Sequence, residues 1–410
     1  MIRSLRSLDV SMASRVVFWF AVAIIGVVSV QHVVALVLAV ADGDAVRIGL
    51  DYRVFVAGGD LVRSGNSDFL YLPNTPEFQE FGIAAFVYPP WVALFMVPWS
   101  LLPVSLGLVA WTVFGVAVMV AGLRSCGVRD WRPFLLAMAS FPALFALGLG
   151  QSSFLFVGIV AFAVASMLHQ RIARSGVSVA LAAWKPHLLG GFGILWLSEP
   201  RRWWKQLLWT LATTMVLVFV SGVILPGSWR AWFSMLVGRV NNDASAVLEA
   251  SLMSMVSFLT VSSSVVRWAI VGVAAVTLIA LCVVVIRRGM ATLEVVLALV
   301  FGTWLLIAPH VLVYDVLILL VPMSLAFQTR FRRDVVVSGT LLVLGLSIGP
   351  LMNELQLDAW GRALNLSTVS LLFATAMFMY WGWTGGPFFV GGVSIGAGSS
   401  SAGCDDTEAP

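Results

Sequence analysis

The chain has 410 residues, a formal net charge of +4 and a mean hydropathy of +0.98, with 60% hydrophobic and 11% charged residues. A soluble globular protein carries about 25% charged residues, so this composition excludes a water-soluble enzyme and a disordered chain and predicts a protein embedded in a bilayer. The three cysteines, Cys126, Cys282 and Cys404, show neither a pairing pattern nor a metal-binding spacing.

Apolar runs separated by charge, glycine or proline recur along the chain. Four of them approach or exceed the length of about 20 residues that a helix needs to cross the hydrocarbon core, and they lie at 16–40, 91–121, 206–225 and 268–286. Shorter runs lie at 134–148, 154–168, 293–307, 311–327, 335–348 and 369–383. The stretch 177–197 is interrupted by Lys185-Pro186, which predicts two half-length helices. We therefore predict an all-α fold, a polytopic membrane helical bundle with about 12 transmembrane helices.

The placement of Lys and Arg predicts the topology. These residues form short clusters between alternate apolar runs, as in loops that stay cytoplasmic, and they form no single patch that would indicate a nucleic-acid partner. We predict a multi-pass plasma (inner) membrane protein with cytoplasmic N- and C-termini. Residues 1–385 are predicted to form one transmembrane domain with an outer loop at 41–90, and residues 386–410 a disordered cytoplasmic tail rich in Gly and Ser.

The outer loop contains the strongest candidate for chemistry. Asp51 follows the first predicted helix and is close in sequence to Arg53. Burial would raise the pKa of this carboxyl group and Arg53 would lower it, and either change suits proton transfer. We predict Asp51 as a general base, and the alternative is an aspartate that caps a helix in a solvated loop.

Two more polar positions face the same side. Tyr88 precedes two prolines at the start of a membrane run, where its ring is expected at headgroup level and is placed to bind an acceptor. Gln151 lies in a polar turn between two outer helix ends and is placed to bind a sugar hydroxyl. Capping of the following helix by Ser152 or Ser153 explains this turn about as well.

Lys185 and His187 flank Pro186 inside an otherwise apolar stretch. A lysine at a break between half-helices, where backbone groups lack partners, is suited to bind an anion such as phosphate. The alternative is a lysine that extends to the headgroups. We favour phosphate binding because the proline places the lysine at the break.

A last polar group begins the run at 311–327. His310 and Tyr314 are four residues apart and are predicted to share a helical face, with Asp315 one position further on. An ionisable side chain within a membrane helix costs about 2.5 to 3.5 kcal/mol on insertion scales, so this acid requires a partner. His310 is suited to bind a leaving phosphate or an acceptor hydroxyl, and a structural hydrogen-bonded pair is an equal alternative.

Taken in order, these motifs resemble the actinobacterial polyprenol-phosphate-mannose-dependent mannosyltransferases. The resemblance spans about Asp51 to Asp315 and rests on Leu50-Asp51-Tyr52-Arg53-Val54-Phe55 with Ala57-Gly58, Tyr88-Pro89-Pro90, Gly150-Gln151, Lys185-Pro186, and Pro309-His310 with Tyr314-Asp315.

The resemblance implies a membrane glycosyltransferase of the C-type fold that inverts the anomeric centre. Mannose would pass from polyprenyl-phosphate-mannose to a phosphatidylinositol mannoside glycolipid on the periplasmic face, in α-1,2 linkage. The family's essential aspartate falls on Asp51, and His310 is the second catalytic candidate. The implied substrate-binding residues are Arg53, Tyr88, Gln151, Lys185, His187, Tyr314 and Asp315. No cofactor and no metal is required, and the partners are the donor lipid, the acceptor glycolipid and the bilayer.

Other functions remain open from the sequence. A related enzyme could transfer arabinofuranose, or mannose that branches lipomannan, from the same type of lipid phosphate. A transporter or flippase also uses broken helices with central charges, but the polar positions here lie on one face and no inverted repeat is visible. The enzyme interpretation depends on these polar groups meeting in one cavity at the outer face.

Overall fold

A computed structural model describes residues 48–72, 75–79, 86–239, 251–253, 256, 264–329, 331–354 and 366–386. Regular structure within these ranges is helical, with no β-strand, as predicted for an all-α fold. The predicted first helix at 16–40 lies outside the described residues, and so does the predicted tail apart from Gly386.

The helices of the first half are α1 (Leu50–Arg63), α2 (Pro76–Gln79), α3 (Pro90–Met96), α4 (Val104–Ser125), α5 (Arg132–Met138), α6 (Phe141–Leu149), α7 (Ser153–Leu168), α8 (Ile172–Leu181) and α9 (Gly190–Ser198). Those of the second half are α10 (Pro200–Ile224), α11 (Ser228–Arg239), α12 (Ser264–Arg287), α13 (Leu293–Ile307), α14 (Leu320–Ala326), α15 (Arg332–Glu354) and α16 (Leu366–Thr384). Short 3₁₀ helices lie at Ser67–Phe69, Trp99–Leu101, Ala182–Trp184, Pro186–Leu188 and Val313–Leu319.

Four of the described helices are long and apolar enough to cross a membrane, namely α4, α10, α12 and α16. The pair α5 and α6 adds a fifth span if it is counted as one helix bent by 58°. Further apolar helices of 10 to 17 residues, such as α7 and α13, pack among them. The described part of the chain is therefore a membrane-embedded helical bundle, and a total of about 12 spans stays a prediction.

Prolines divide two runs that the hydropathy pattern joins. The predicted run at 91–121 is not one helix, because α3 ends at Met96 and α4 begins only after Pro103. The run at 134–148 breaks before Phe141, with Pro142 in the first turn of α6. Proline lacks a backbone N–H and is tolerated at a helix start but not in its interior, so each break follows from the local sequence.

The predicted interruption near Lys185 is present. Helix α8 ends at Leu181, α9 begins at Gly190, and a 3₁₀ helix lies on each side of Lys185. The Lys185 backbone itself is non-helical, with φ −116° and ψ 77°. This break places a lysine at the junction of two short helices inside the bundle.

Helix α7 is buried along most of its length and packs closely against α4. A Cβ atom on Gly122 would collide with the backbone of Gly158, and one on Gly158 would collide with the backbone of Met119. Small residues that let two backbones approach are typical of membrane helix pairs. At 1.5 Å per residue the 16 residues of α7 span about 24 Å, so its two ends lie at well-separated levels of the bundle.

Candidate active site

Gly150 positions Gln151 at the end of α6. The Gly150 backbone is left-handed (φ 66°), its N–H donates to the carbonyl of Leu147, and the Gln151 N–H donates to the carbonyl of Ala146. This is the Schellman pattern of a helix C-terminus. A Cβ atom on Gly150 would lie 2.6 Å from the Cβ of Tyr52, so only glycine fits where the end of α6 meets α1.

Asp51 is brought to the same place by the start of α1. The N–H of Gly49, which precedes this helix, donates to the carbonyl of Gly148 at 2.8 Å. The indole Nε1 of Trp111 donates to the carbonyl of Gly150 at 3.0 Å and ties α4 to the same turn. These contacts hold Asp51 beside Gln151, which is 100 positions away in sequence.

Gln151 connects Asp51 to Tyr314. Its Nε2 donates to Asp51 Oδ2 at 2.6 Å and to the Tyr314 hydroxyl at 2.9 Å. Burial raises the pKa of Asp51 to about 6, while the Gln151 hydrogen bond and the positive charge of Lys185 oppose the rise. Asp51 makes no helix-capping hydrogen bond with its side chain. The carboxylate is therefore held by a partner from another segment, not by its own helix.

Lys185 and Asp315 form a buried ion pair next to this group. Lys185 Nζ lies 2.7 Å from Asp315 Oδ1, donates to the Ser153 hydroxyl at 3.1 Å, and sits 4.6 Å from the ring centre of Tyr314. Both charged side chains are no more than 3% exposed. The acid therefore has the partner that its position requires, and Lys185 points into the bundle instead of extending to the headgroups.

Two histidines extend the network towards the surface. His187 Nε2 lies 3.8 Å from Asp315 Oδ2, and its ring centre is 6.2 Å from that of His310. His187 is about one-third exposed and His310 is exposed. Tyr88 packs with its ring 4.6 Å from that of Phe55, and it interacts electrostatically with Tyr314.

Two local expectations are wrong. His310 and Tyr314 do not share a helical face, because the backbone is extended at Leu312 (φ −81°, ψ 154°) and the 3₁₀ helix begins at Val313. Asp315 accepts a hydrogen bond from the Leu312 N–H and so fixes this start. Capping by Ser152 is also absent, since it precedes α7 without a side-chain cap bond.

Arg53 is a predicted site residue whose described hydrogen bond is not to the other candidate residues. Its Nε donates to the carbonyl of Ile48 at 3.3 Å. The rise in the Asp51 pKa comes from burial. Substrate binding by Arg53 stays a prediction, whereas the other eight predicted residues lie in or against one connected group.

Comparison with known proteins shows the family to which the chain belongs. Residues 86–309 match the model of glycosyltransferase family 87, which covers more than half of the 410 residues. The chain belongs to this family. No curated protein and no solved structure matches the chain.

As a member of family 87, the chain is a membrane glycosyltransferase. Some of the candidate residues lie inside the matched region and others lie outside it. The matched region includes Tyr88, Gln151, Lys185 and His187. Asp51 lies before it, and His310, Tyr314 and Asp315 lie after it. The roles of residues on both sides therefore rest on the contacts described above.

The structure of this family 87 protein also shows contacts that the sequence did not predict. Ser153 receives the Lys185 hydrogen bond. Trp184, the residue before Lys185, packs with its ring centre 5.8 Å from that of Trp111 and 5.9 Å from that of Phe55. The density of aromatic residues between 86 and 114 is the signal that could have indicated this wall, but it does not say which rings meet.

Three buried polar atoms beside the network have no hydrogen-bond partner within the described ranges, namely Gln151 Oε1, Ser152 Oγ and His187 Nε2. Most buried polar atoms in proteins are paired, so these three atoms mark the hydrogen bonding of this group as incomplete. Where the structure describes the chain, no group of three or more His, Cys, Asp or Glu side chains is arranged to hold a metal ion. Independence from metal stays a prediction.

Proposed function

We propose that the chain is an inverting α-1,2-mannosyltransferase that uses polyprenyl-phosphate-mannose as donor and a phosphatidylinositol mannoside as acceptor. Asp51 is the general base, and the site faces the periplasm. The proposal is supported by membership of glycosyltransferase family 87. It also rests on the resemblance of the sequence motifs to those of PimE, the α-1,2-mannosyltransferase of phosphatidylinositol mannoside synthesis. The observation that carries it is the Asp51 carboxylate held by Gln151 beside the Lys185–Asp315 pair.

Asp51 is suited to accept a proton. Gln151 occupies Oδ2, whereas Oδ1 accepts no hydrogen bond from a described residue. With a pKa of about 6 the carboxylate is ionised at neutral pH and more basic than an ordinary aspartate. General bases of this kind contribute about 10²- to 10⁴-fold to rate.

The sugar is then transferred in a single displacement at the anomeric carbon. The acceptor hydroxyl gives its proton to Asp51 Oδ1 while its oxygen forms a bond to the anomeric carbon. The bond between that carbon and the phosphate oxygen breaks, and its electron pair leaves with the polyprenyl phosphate. Because attack and departure occur on opposite faces, the anomeric centre inverts, and a second acid is not needed for a leaving group that is already a stable anion.

The leaving phosphate needs electrostatic stabilisation. Lys185 is already neutralised by Asp315 at 2.7 Å, so it acts chiefly on its neighbours. His187 and His310 lie further out, with their rings 6.2 Å apart. We assign the phosphate to the two histidines, with Lys185 behind them holding Asp315 and Tyr314 in place.

An Asp51→Asn variant tests the base. The purified full-length protein in nanodiscs is supplied with radiolabelled polyprenyl-phosphate-mannose and phosphatidylinositol mannosides. We expect transfer to fall by about 10²-fold or more, with unchanged thermal stability. Asp60→Asn is the matched control, because Asp60 lies on the same helix in an exposed pair with Arg63 and should retain activity. Full activity of Asp51→Asn would refute the assignment.

The donor is tested separately. Polyprenyl-phosphate-arabinose and GDP-mannose replace polyprenyl-phosphate-mannose in the same assay. Product formed only from the mannosyl lipid supports the proposal. Product from the arabinosyl lipid alone favours the related arabinofuranosyltransferase, and product from the nucleotide sugar rules out dependence on a lipid-linked donor.

A further inference from the structure

A hollow runs along α7 from the end that is far from the candidate site to Ile159. It has a volume of about 540 Å³ and is bordered by α4, α7 and α8. Ser153, at one end of α7, contacts Lys185, whereas His169 at the hollow follows the other end, about 24 Å away. The His169 end of the hollow is therefore far from Lys185.

One end of the hollow is cationic and rich in hydroxyl groups. Arg171 and Arg174 line it together with His169, Ser125 and Ser166, and no Asp or Glu does. Both arginines are exposed, and neither forms a salt bridge with a described residue.

Some other exposed arginines of the bundle have a carboxylate partner. Arg132 and Arg332 both approach Asp130, and Arg202 pairs with Glu199. Positive charge at the hollow is thus left without a protein counter-ion in the described ranges. Arginine forks and serine hydroxyls are the groups that bind phosphate oxygens.

The other end of the hollow is apolar. It is lined by Ile159, Phe162 and Leu181, and Leu181 is 38% exposed. On α8, Arg174 and Leu181 are seven positions apart, which corresponds to about 10 Å along the helix axis. Basic side chains at one end and apolar ones at the other match an amphiphile, whereas a free phosphate would leave the apolar end uncovered.

We propose that this hollow binds an anionic phospholipid, with its phosphate at Arg171 and Arg174 and the start of an acyl chain against Phe162 and Leu181. The lipid belongs to the leaflet opposite the candidate active site, because Arg171 and Arg174 lie beyond the other end of α7. The proposal does not depend on which sugar the enzyme transfers.

Native mass spectrometry of the full-length protein tests the proposal, with phosphatidylglycerol as the probe and phosphatidylcholine as the neutral lipid. A basic residue near a membrane surface contributes about 1 kcal/mol to binding an anionic lipid. The double variant Arg171→Gln/Arg174→Gln should therefore bind phosphatidylglycerol about 30-fold more weakly. Arg201→Gln/Arg202→Gln is the matched control, since both arginines are exposed on another helix, and it should bind like the wild type.

A variant that keeps both charges tests the apolar half. Ser178 lines the hollow between Arg174 and Leu181, and Ser178→Trp fills this space. Loss of phosphatidylglycerol in both variants, with no competition from 10 mM inorganic phosphate, supports a lipid site. Unchanged lipid binding in the double arginine variant overturns the proposal. Displacement of the lipid by inorganic phosphate, or full binding to Ser178→Trp, would instead indicate a simple phosphate site and also overturn it.

Discussion

The two ends of α7 handle charge in opposite ways. At the Ser153 end, Lys185 and Asp315 are almost fully buried and satisfy each other at 2.7 Å. At the Leu168 end, Arg171 and Arg174 are exposed and are not neutralised by described residues. A buried charge is stable only with its partner, whereas an exposed one is solvated and open to ligands. We therefore expect the first end to determine folding and catalysis, and the second to affect neither directly.

The largest effect is expected from Lys185→Met. This change leaves the Asp315 charge buried without its partner, which costs about 3 to 5 kcal/mol, and it should lower the free energy of unfolding measured by denaturant titration in detergent. The double variant Lys185→Met/Asp315→Asn removes both charges and should recover part of the loss. A wild-type stability for Lys185→Met would show that the two ends do not differ as described.

A smaller loss of stability is expected from Gly150→Ala. The left-handed backbone costs a non-glycine residue about 1 to 2 kcal/mol, and the new methyl group would also collide with Tyr52 and Leu108. Gly127→Ala is the control, because Gly127 has φ 80° but nothing within 4 Å of the added Cβ. Gly150→Ala should be less stable than Gly127→Ala by about 1 to 3 kcal/mol. Equal losses would mean that the α6–α1 contact is looser than we describe.

The pH dependence of transfer tests the contact between Gln151 and Asp51. Activity at low substrate concentration should rise with pH through about 6, because the ionised carboxylate is the base and burial raises its pKa. Gln151→Leu removes a hydrogen bond that lowers this pKa, so the rise should move to higher pH. Arg53→Gln is the control and should leave the rise in place. A shift to lower pH in Gln151→Leu would contradict the assigned hydrogen bond.

The smallest effect on stability is expected at the other end of the bundle. Arg174→Met replaces an exposed arginine without a protein counter-ion, so the free energy of unfolding in lipid-free detergent should change by no more than about 0.5 kcal/mol. Compared with Lys185→Met in the same titration, this variant measures the difference between the two ends directly. A loss of unfolding free energy as large as that of Lys185→Met would show that the two ends of α7 do not differ in their effect on stability.

Much of the site can be predicted from the sequence because polar residues are rare in an apolar chain. Asp51, Gln151, Lys185 and Asp315 each stand out against their surroundings, and proline marks the break at Lys185. The contacts between these side chains could not be predicted in the same way. Nothing in the spacing says that Lys185 meets Asp315 or that Gln151 bridges Asp51 and Tyr314, because those contacts depend on how separate helices pack.

Helix boundaries were less predictable than helix existence. Hydropathy joins residues 91–121 into one run, although Pro98 and Pro103 separate two helices there. The predicted shared face of His310 and Tyr314 assumed a helix that starts before Val313. In both cases a local backbone feature, a missing N–H or a carboxylate that caps the chain, overrides the apolar pattern.

The long separation between Lys185 and Asp315 has a consequence for biosynthesis. The two residues are 130 positions apart, and at about 5 to 20 residues per second a ribosome needs about 7 to 26 seconds to make the chain between them. During that interval the lysine enters the membrane without its counter-ion. We therefore expect nascent chains that end before Asp315 to be less stable around Lys185 than the complete chain.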